Sequence, residues 1–348
     1  MIDISFSDRV LAWAEVAGRN NLPWQQQPSA YRVWVSEIML QQTQVDTVIP
    51  YFEKFMQRFP QVEDLAAAAQ DEVLHYWSGL GYYARARNMH QTARQLCNSY
   101  RGEFPQDIDR VMALPGIGRS TAAAILSLSY DLRHTILDGN VKRVLARHSG
   151  TYGWPGQAKI EKVLWRIAEQ HTPAMHNRRY TQAMMDLGAT LCTRKRPQCE
   201  HCPVQVDCFA YAHQEQQQLP SPRPKKTHPE RYTVMLIVRA PRQHVLMQRR
   251  PDRGIWGGLL GFPEFTDIES AMQWSHTRFN HALDDYSEYP LLRHVFSHFS
   301  LTIQAVSVTI KTPNLWVMEG DQWVWYKHSE TQAGLAAPVH DLLIQTFE

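Results

Sequence analysis

The sequence predicts a multi-domain protein, with an all-α domain over residues 1–213 and an α+β domain over residues 232–348. Three observations predict this division. Apolar side chains in the first part recur at helical spacing. Residues 214–231 are rich in Gln, Pro and charge with almost nothing apolar, which is typical of a linker. Beyond the linker, short runs of alternating or continuous apolar residues predict strands.

The N-terminal pattern is helical because apolar residues follow one another at three- and four-residue steps. Trp34, Val35 and Ile38 form one such group, and Val111 and Leu114 belong to another. Strand-like alternation is scarce in this part of the chain. In the second domain three segments predict strands, namely residues 232–238, 244–249 and 300–310.

Bulk properties limit the setting of the protein. The chain has 348 residues, 44% of them hydrophobic, which is enough for two cores. No apolar run approaches the ~20 residues that cross a bilayer, and the N-terminal MIDISFSDRV lacks signal-peptide order. We therefore expect a cytoplasmic protein. The net charge of +2 predicts no partner, since 36 basic residues nearly cancel 34 acidic ones.

Four cysteines cluster after the last predicted helix. Cys192, Cys199, Cys202 and Cys208 give the spacing C-x6-C-x2-C-x5-C. Four thiolates are the usual ligands of a 4Fe–4S cluster, and thiolates also bind zinc. A structural zinc site usually has two C-x-x-C pairs, and only one is present here. The spacing therefore favours a 4Fe–4S cluster over zinc.

A glycine-containing turn lies between two predicted helices. Leu114 to Ala122, LPGIGRSTA, places Gly116 and Gly118 just before a helix that begins near Ser120. Glycines let a ligand approach the backbone, and the N-terminus of the following helix attracts anions. The expected ligand is a phosphate oxygen.

This turn is similar to a helix–hairpin–helix motif over residues 108–130, and Asp138 follows in ILDGNVKR. Together with the cysteines, it resembles the helix–hairpin–helix superfamily of base-excision DNA glycosylases. The resemblance implies that the hairpin holds the DNA backbone and that Asp138 faces the sugar of an extruded nucleotide. Chemistry at a glycosidic bond within a duplex requires base flipping.

Two positions indicate the subclass. Strand-cleaving members of the superfamily carry a lysine nucleophile where this chain has Ser120, and a hydroxyl cannot form an imine with C1′. The segment VSEIMLQQTQ around Glu37 resembles the adenine glycosylases. The resemblance implies that Glu37 is the catalytic acid, that Asp138 stays ionised beside the sugar, and that Asn140 assists. Adenine is a poor leaving group until it is protonated, so an acid with a raised pKa is required.

The resemblance also implies a set of residues that contact DNA, two of which, Gln42 and Tyr82, would enter the base stack. The predicted DNA-binding residues are Gln42, Thr43, Tyr82, Leu114, Gly116, Gly118, Ser120 and Lys142.

The second domain resembles a Nudix fold at residues 253–263, RGIWGGLLGFP, but no acidic helix of the R-E-x-x-E-E kind follows. Without those carboxylates a magnesium site is not expected, so the domain should bind and not hydrolyse. Phe296, Ser297 and His298 match the loop by which adenine glycosylases recognise 8-oxoguanine.

The sequence thus predicts a monomeric, monofunctional glycosylase with a 4Fe–4S cluster, acting on adenine opposite 8-oxoguanine or guanine in duplex DNA, with no membrane partner. Two alternatives remain. An endonuclease III-like oxidised-pyrimidine glycosylase and lyase shares the hairpin, Asp138 and the cysteines, although Ser120 and the second domain disfavour it. A non-catalytic damage-binding protein would have no need of both Glu37 and Asp138.

Overall fold

The computed structural model describes residues 4–224, 227–311, 322–327 and 333–347. Contacts divide the described residues into two compact units. The helical unit comprises those within Met1–Ala66 and Gln91–Lys225, and the sheet unit those within Ala67–His90 and Lys226–Glu348. The predicted domain limits stay a prediction. The units differ from them chiefly in residues 67–90, which group with the C-terminal sheet.

Helices dominate the chain up to the linker, as predicted. They are α1 Phe6–Ala17, α2 Ala30–Leu40, α3 Val45–Arg58, α4 Val62–Ala67, α5 Gln70–Trp77, α6 Ala84–Tyr100, α7 Ile108–Met112, α8 Arg119–Tyr130, α9 Gly139–Ser149, α10 Ala158–His171, α11 Asn177–Asp186 and α12 Phe209–Ala212. Short 3-10 turns occur at Pro23–Gln25, Cys199–His201 and Gln205–Asp207, and α11 continues into a π-helical turn at Leu187–Leu191.

Local sequence explains where the functional helices begin. Ser29 caps α2 by accepting a hydrogen bond from the Arg32 backbone N–H at 3.2 Å. Asp107 caps α7 in the same way, through the N–H of Arg110. Capping satisfies amides that have no partner inside the helix, so these helices begin at defined residues.

The core of the helical unit is apolar and surrounds α8, α9 and α11. Its members include Ala123, Val141, Leu145, Leu164 and Met184, all buried. Helix α2 packs on α8, so the helix that carries Glu37 lies beside the helix that begins at the hairpin. This packing positions the candidate site.

The sheet unit contains a mixed sheet. Its strands are β1 Glu230–Ala240, β2 His244–Arg249, β3 Leu260–Gly261, β4 Glu264–Phe265, β5 Ser287–Glu288, β6 Leu292–Val295, β7 Ser300–Thr309 and β8 Trp323–Tyr326. The order is β3-β2-β1-β7-β5, with β4 on β1, β6 on β7 and β8 on β2. Strands β1 and β7 are parallel, in a register that runs from Glu230 opposite Ser300 to Arg239 opposite Thr309. Helices α13 Ile268–Phe279 and α14 Ala337–Phe347 belong to the same unit, as does α5.

The three strands predicted from the sequence are confirmed as β1, β2 and β7, with ends that differ by up to two residues. They are recognisable because their apolar residues are buried. On β1 the core side chains Val234, Leu236 and Val238 are fully buried. These strands form the centre of the sheet, where apolar patterning is strongest.

No helix among the described residues is both long and apolar enough to span a bilayer.

Candidate active site and DNA interface

Glu37 lies on α2 between the buried side chains of Ser36 and Ile38. Desolvation by the surrounding protein and, to a smaller extent, the negative charge of Asp138 together raise the pKa of Glu37 to about 8. The side chain keeps some solvent exposure. Glu37 is therefore protonated at neutral pH, which is the state that a proton donor needs.

Asp138 caps helix α9 at its N-terminus. Its Oδ1 accepts a hydrogen bond from the Val141 N–H at 2.8 Å. Burial raises the pKa of Asp138 above its ordinary value, and hydrogen bonds from the backbone of Val141 and Asn140 and the charges of Arg143 and Lys142 oppose part of that rise. Helix N-termini and N–H donors favour a carboxylate. Asp138 therefore has hydrogen-bond donors and positive charges that stabilise its ionised form, whereas both causes that act on Glu37 raise its pKa.

Asn140 occupies the first turn of α9 and lies against Gly188 in the π-helical turn that precedes Cys192. Its Oδ1 accepts from the Arg143 guanidinium at 2.9 Å, and the same Nη2 donates to the Gly188 carbonyl at 2.7 Å. A Cβ on Gly188 would lie 2.6 Å from Cβ of Asn140, so only glycine permits this approach. Sequence patterns did not reveal this contact, which joins two distant segments.

Ser120 lies two residues after the second hairpin glycine, at the start of α8. Its Oγ accepts a hydrogen bond from the Leu137 N–H at 2.9 Å. Leu137 directly precedes Asp138, so the hydroxyl fixes the backbone that presents the carboxylate. The sequence predicted a DNA contact for Ser120, and the structure gives its hydroxyl this internal partner.

Two basic residues near the hairpin are paired with carboxylates of α10. Lys142 Nζ lies 2.6 Å from Oε1 of Glu161, and Arg119 Nη2 lies 2.5 Å from Oε1 of Glu169. The Arg119 guanidinium also lies 3.9 Å from the centroid of the Trp165 ring. A phosphate that binds Lys142 or Arg119 would replace these carboxylates.

The hairpin presents its glycines outward and its apolar residues inward. Gly116, with φ of 76°, and Gly118 are exposed, whereas Leu114 and Ile117 are buried. The Leu114 carbonyl accepts from the Ile117 N–H at 3.2 Å, which closes the turn. Leu114 was predicted among the DNA-binding residues, but its side chain is 2% exposed and supports the turn from within.

The two residues predicted to enter the base stack share an uncommon backbone conformation. Gln42 has φ of 60° and is exposed in the turn after α2, where the Thr43 N–H donates to the Leu40 carbonyl at 3.3 Å. Tyr82, in the sheet unit, has φ of 49° and a side chain that is 49% exposed. Strained backbone of this kind in non-glycine residues often marks functional sites.

The four cysteines line one cavity, together with residues of α9 and other residues of the segment 191–216. Burial, together with the neighbouring cysteines, raises the pKa of the Cys202 thiol to about 12. Burial also raises the pKa of Cys199 and Cys208. Among the described residues, no set of three or more His, Cys, Asp or Glu side chains converges on a single metal ion.

Arg147 on α9 holds the cysteine loop through a buried guanidinium that is 3% exposed. It donates to the carbonyls of Leu219, Thr193 and Arg194 at 2.9, 2.7 and 3.1 Å, and Nη1 lies 3.3 Å from Sγ of Cys192. Since Asp138 caps the same helix, α9 connects the carboxylate site with the cysteine loop.

In the sheet unit, Phe296, Ser297 and His298 form the turn between β6 and β7. The Phe296 ring stacks on Phe299 at 4.5 Å, and Ser297 and His298 are exposed. His228 Nε2 lies 2.9 Å from the Phe296 carbonyl oxygen. The exposed hydroxyl and imidazole are thus available to a ligand, while the phenyl ring anchors the turn.

A cavity of about 500 Å³ lies in the helical unit beside α2. Its lining includes Ser36, which adjoins Glu37, and the side chains of Trp24, Val33, Gln182 and Asp186. Asp186 is buried and accepts hydrogen bonds from Arg19 and Gln182. Sequence reasoning missed these residues, because they come from separate helices and form no local motif.

Two family models match the chain. Residues 35–170 match the HhH-GPD superfamily of base excision DNA repair proteins, and residues 233–345 match the NUDIX domain. An adenine DNA glycosylase of Buchnera aphidicola subsp. Acyrthosiphon pisum is 39% identical over 97% of this chain and 96% of its own length. The chain belongs to the adenine DNA glycosylase family. The predicted family and the predicted fold class, a helical glycosylase domain followed by a Nudix-like domain, are thereby confirmed.

Family relatives in mammals are also similar. The adenine DNA glycosylase of Mus musculus is 34% identical over 93% of this chain and 74% of its own, and that of Homo sapiens is 32% identical over 94% and 72%. The solved structure of a thermostable thymine-DNA glycosylase is 26% identical to this protein, with a TM-score of 0.54. The match covers 60% of the present chain and 95% of the thymine-DNA glycosylase chain. Endonuclease III in a non-covalent DNA complex, 22% identical with a TM-score of 0.50, shares the fold.

Proposed function

We propose that the protein is a monofunctional glycosylase that hydrolyses the N-glycosidic bond of adenine opposite 8-oxoguanine, and also opposite guanine, in duplex DNA. The match to the HhH-GPD family supports glycosylase chemistry in base excision repair. The similar relatives are adenine DNA glycosylases, which supports adenine as the base that is removed. The observation that carries the proposal is the pKa of Glu37, about 8, beside a second carboxyl group at Asp138.

The two carboxyl groups divide the reaction between them. Neutral Glu37 transfers its proton to N7 of adenine, which makes the base a better leaving group as the C1′–N9 bond breaks. Asp138, in its ionised form, stabilises the positive charge that develops on the sugar. Water then adds to C1′, and its proton returns to the Glu37 carboxylate. Free adenine and an abasic site are the products.

The cavity beside Ser36 supports a flipped base as the bound state. Its volume of about 500 Å³ exceeds that of a purine, and its lining combines the apolar Trp24 and Val33 with the polar Ser36 and Gln182. A base inside the duplex cannot reach Glu37, so extrusion has to precede protonation.

Ser120 supports a monofunctional reaction. Its hydroxyl accepts from the Leu137 backbone and lacks the amine needed for a Schiff base. The abasic strand therefore stays intact until alkali is added. This expectation separates the proposal from a strand-cleaving endonuclease III-like enzyme.

Recognition of 8-oxoguanine is proposed for the turn at Phe296–His298. Ser297 is exposed at the tip, and a hydroxyl both donates and accepts hydrogen bonds, which suits the altered purine edge. His298 is exposed beside it, with Nδ1 3.5 Å from the Ser297 hydroxyl.

The four cysteines fit a 4Fe–4S cluster as the resident cofactor. All four line one cavity, and their spacing contains only one C-x-x-C pair, whereas a structural zinc site usually has two. Burial raises the pKa of the Cys199, Cys202 and Cys208 thiols, so cationic iron would be needed to keep them as thiolates. When bound, the cluster would cross-link the loop between Cys192 and Cys208.

The decisive experiment uses duplexes with adenine opposite 8-oxoguanine, guanine or thymine, and a thymine glycol duplex. Strand scission is scored before and after alkali. We expect product from the first two duplexes, only after alkali. Release of thymine glycol, or scission without alkali, would contradict the proposal.

Two variants assign the roles. Glu37→Gln is expected to bind the adenine duplex but to lose at least about 100-fold in single-turnover rate, because an amide cannot donate the proton. Ser297→Ala is expected to weaken binding opposite 8-oxoguanine more than opposite guanine. Equal losses on both duplexes would remove Ser297 from lesion recognition.

A further inference from the structure

The segment that carries Tyr82 is attached to the C-terminal part of the sheet unit by a bidentate ion pair. Arg249 at the end of β2 donates to both carboxylate oxygens of Asp71 on α5, at 2.5 and 2.6 Å. Both side chains are about two-thirds shielded from solvent. Paired, parallel hydrogen bonds of this kind fix orientation as well as distance.

Two further polar contacts reinforce this attachment. The Arg87 guanidinium donates to the carbonyls of Gly257 and Asp252, the latter at 2.9 Å. The Tyr83 hydroxyl donates to the Leu335 carbonyl at 3.0 Å. These contacts join residues that are about 165 to 252 positions apart in the sequence.

Close backbone packing accompanies the polar contacts. Leu74 and Trp77 of α5 are buried, and a Cβ on Gly334 would lie 2.8 Å from Cβ of Leu74. A Cβ on Gly258 would lie 3.3 Å from Nε2 of Gln70. Glycine at these positions lets the strand-connecting loops approach α5.

The turn at Tyr82 is built on this attached helix. The Trp77 indole N–H donates to the Gly81 carbonyl at 3.1 Å, and Arg85 donates to the same carbonyl at 3.2 Å. The Arg85 guanidinium lies 5.6 Å from the Tyr82 ring centroid. The turn is thus held by Trp77 at the end of α5, and the exposed Tyr82 ring lies beside Arg85 at the start of α6.

We infer that Asp71, Arg249 and Arg87 are positioning residues, which hold the Tyr82 turn and the Phe296–His298 turn in one unit that reads the damaged base pair. The inference rests on the proposed function. Releasing the attachment lets Tyr82 move independently of the turn that contacts the lesion. Discrimination between 8-oxoguanine and guanine then falls, while the chemical step at Glu37 is unchanged.

Charge reversal tests the inference in the full-length protein. Asp71→Arg and Arg249→Asp each place like charges together, and the double variant restores an opposite pair. Arg239→Asp, an exposed position on β1, is the control for one reversed charge. Arg87→Met tests the second attachment independently. Affinities are measured for duplexes with cleavage-resistant 2′-fluoro-deoxyadenosine opposite 8-oxoguanine or guanine.

Each single reversal is expected to lower the affinity ratio between the two duplexes about tenfold, equivalent to ~1.4 kcal/mol. The double variant recovers most of the ratio, Arg87→Met lowers it, and Arg239→Asp leaves it unchanged. Hydrogen exchange at residues 70–82 rises in the single variants, and the single-turnover rate at saturation stays within about twofold.

An unchanged ratio in both single variants would overturn the inference, whether or not exchange rises. Equal loss in the double variant and the single variants would also overturn it, because the pair would then have no specific positioning role. The wild-type ratio is measured first. A wild type without preference for 8-oxoguanine contradicts the proposed function, whereas a wild-type preference that the reversals leave intact contradicts only this inference.

Discussion

Glu37 and Asp138 are two carboxyl groups with different surroundings. Desolvation dominates at Glu37, and no resolved influence lowers its pKa. Asp138 is also desolvated, yet it caps a helix and lies near Arg143 and Lys142, which favour its ionised form. Enzymes commonly place two carboxyl groups in different environments, so that one stays protonated as a proton donor and the other stays ionised and stabilises positive charge.

The pKa of Glu37 predicts the pH dependence of the reaction. Since the donor must be protonated, the single-turnover rate on adenine opposite 8-oxoguanine is expected to be flat up to about pH 8. Above that pH it falls about tenfold per pH unit, because the protonated fraction falls at that rate. A rate that keeps rising to pH 9 would contradict Glu37 as the donor.

The same pKa predicts a pH-dependent stability. The folded pKa of about 8 exceeds the ordinary value of 4.5, so the folded state is relatively most stable below pH 4.5. This contribution is lost as the pH rises through 8. Glu37→Gln is expected to be more stable than wild type at pH 9 by ~2 kcal/mol, allowing for partial exposure, and to show no gain at pH 5. Denaturant unfolding at the two pH values measures the difference.

At the scale of elements, the hairpin shows why two neighbouring glycines have different roles. Gly116 has φ of 76°, a conformation that other residues rarely adopt, whereas Gly118 has φ of −91° as the residue that precedes α8. A Cβ on Gly118 would meet no protein atom within 4 Å. Gly116 is therefore required by the turn, and Gly118 keeps the surface open to a ligand.

Matched alanine substitutions test this difference. Gly116→Ala is expected to destabilise the protein by ~1 kcal/mol, because alanine is strained at positive φ. Gly118→Ala is expected to leave the melting temperature unchanged and to weaken duplex binding, since a methyl group stands where a phosphate approaches. Melting curves and DNA titrations separate the two effects. Normal DNA affinity for Gly118→Ala would argue against phosphate binding at this turn.

Helix α9 links two functional elements through buried arginine. Substituting Arg147 with leucine leaves three backbone carbonyls, two of them in the cysteine loop, without their donor, so a loss of ~3 kcal/mol is expected. The iron content per chain is expected to fall with it. Arg194→Leu, at an exposed side chain of the same loop, is the control and is expected to retain iron. Full iron content in the Arg147 variant would show that the loop does not depend on this contact.

At the scale of the molecule, each of the two compact units is built from two separate segments of the chain. Residues 67–90 lie between helices of the helical unit in sequence but belong to the sheet unit. Contacts across distant parts of the chain, such as Asp71 with Arg249, create this grouping.

The grouping predicts which elements lose protection together. Leu236→Ala removes a fully buried side chain from β1 and is expected to cost about 2–5 kcal/mol. Hydrogen exchange should then increase both in the sheet and in α5, with less change in α8. Exchange in α5 that follows α8 and not β1 would contradict the grouping.

The sequence alone determined the features that depend on short spacing. Helical periodicity, the alternation of β1 and β7, the cysteine spacing, the hairpin glycines, and the match around Glu37 are all local patterns. They predicted the fold class correctly, and they selected Glu37, Asp138 and Asn140, whose roles stay predictions. Local patterns suffice there because backbone conformation responds to near neighbours.

The tertiary structure alone decided the features that need distant residues. Burial raises the pKa of Glu37, the Leu137 N–H occupies the Ser120 hydroxyl, and Arg249 holds the helix that begins the Tyr82 segment. Each depends on groups far apart in the chain, and no short spacing encodes such a pair. Desolvation and hydrogen bonding act between neighbours in space, so their effects exist only once the chain has folded.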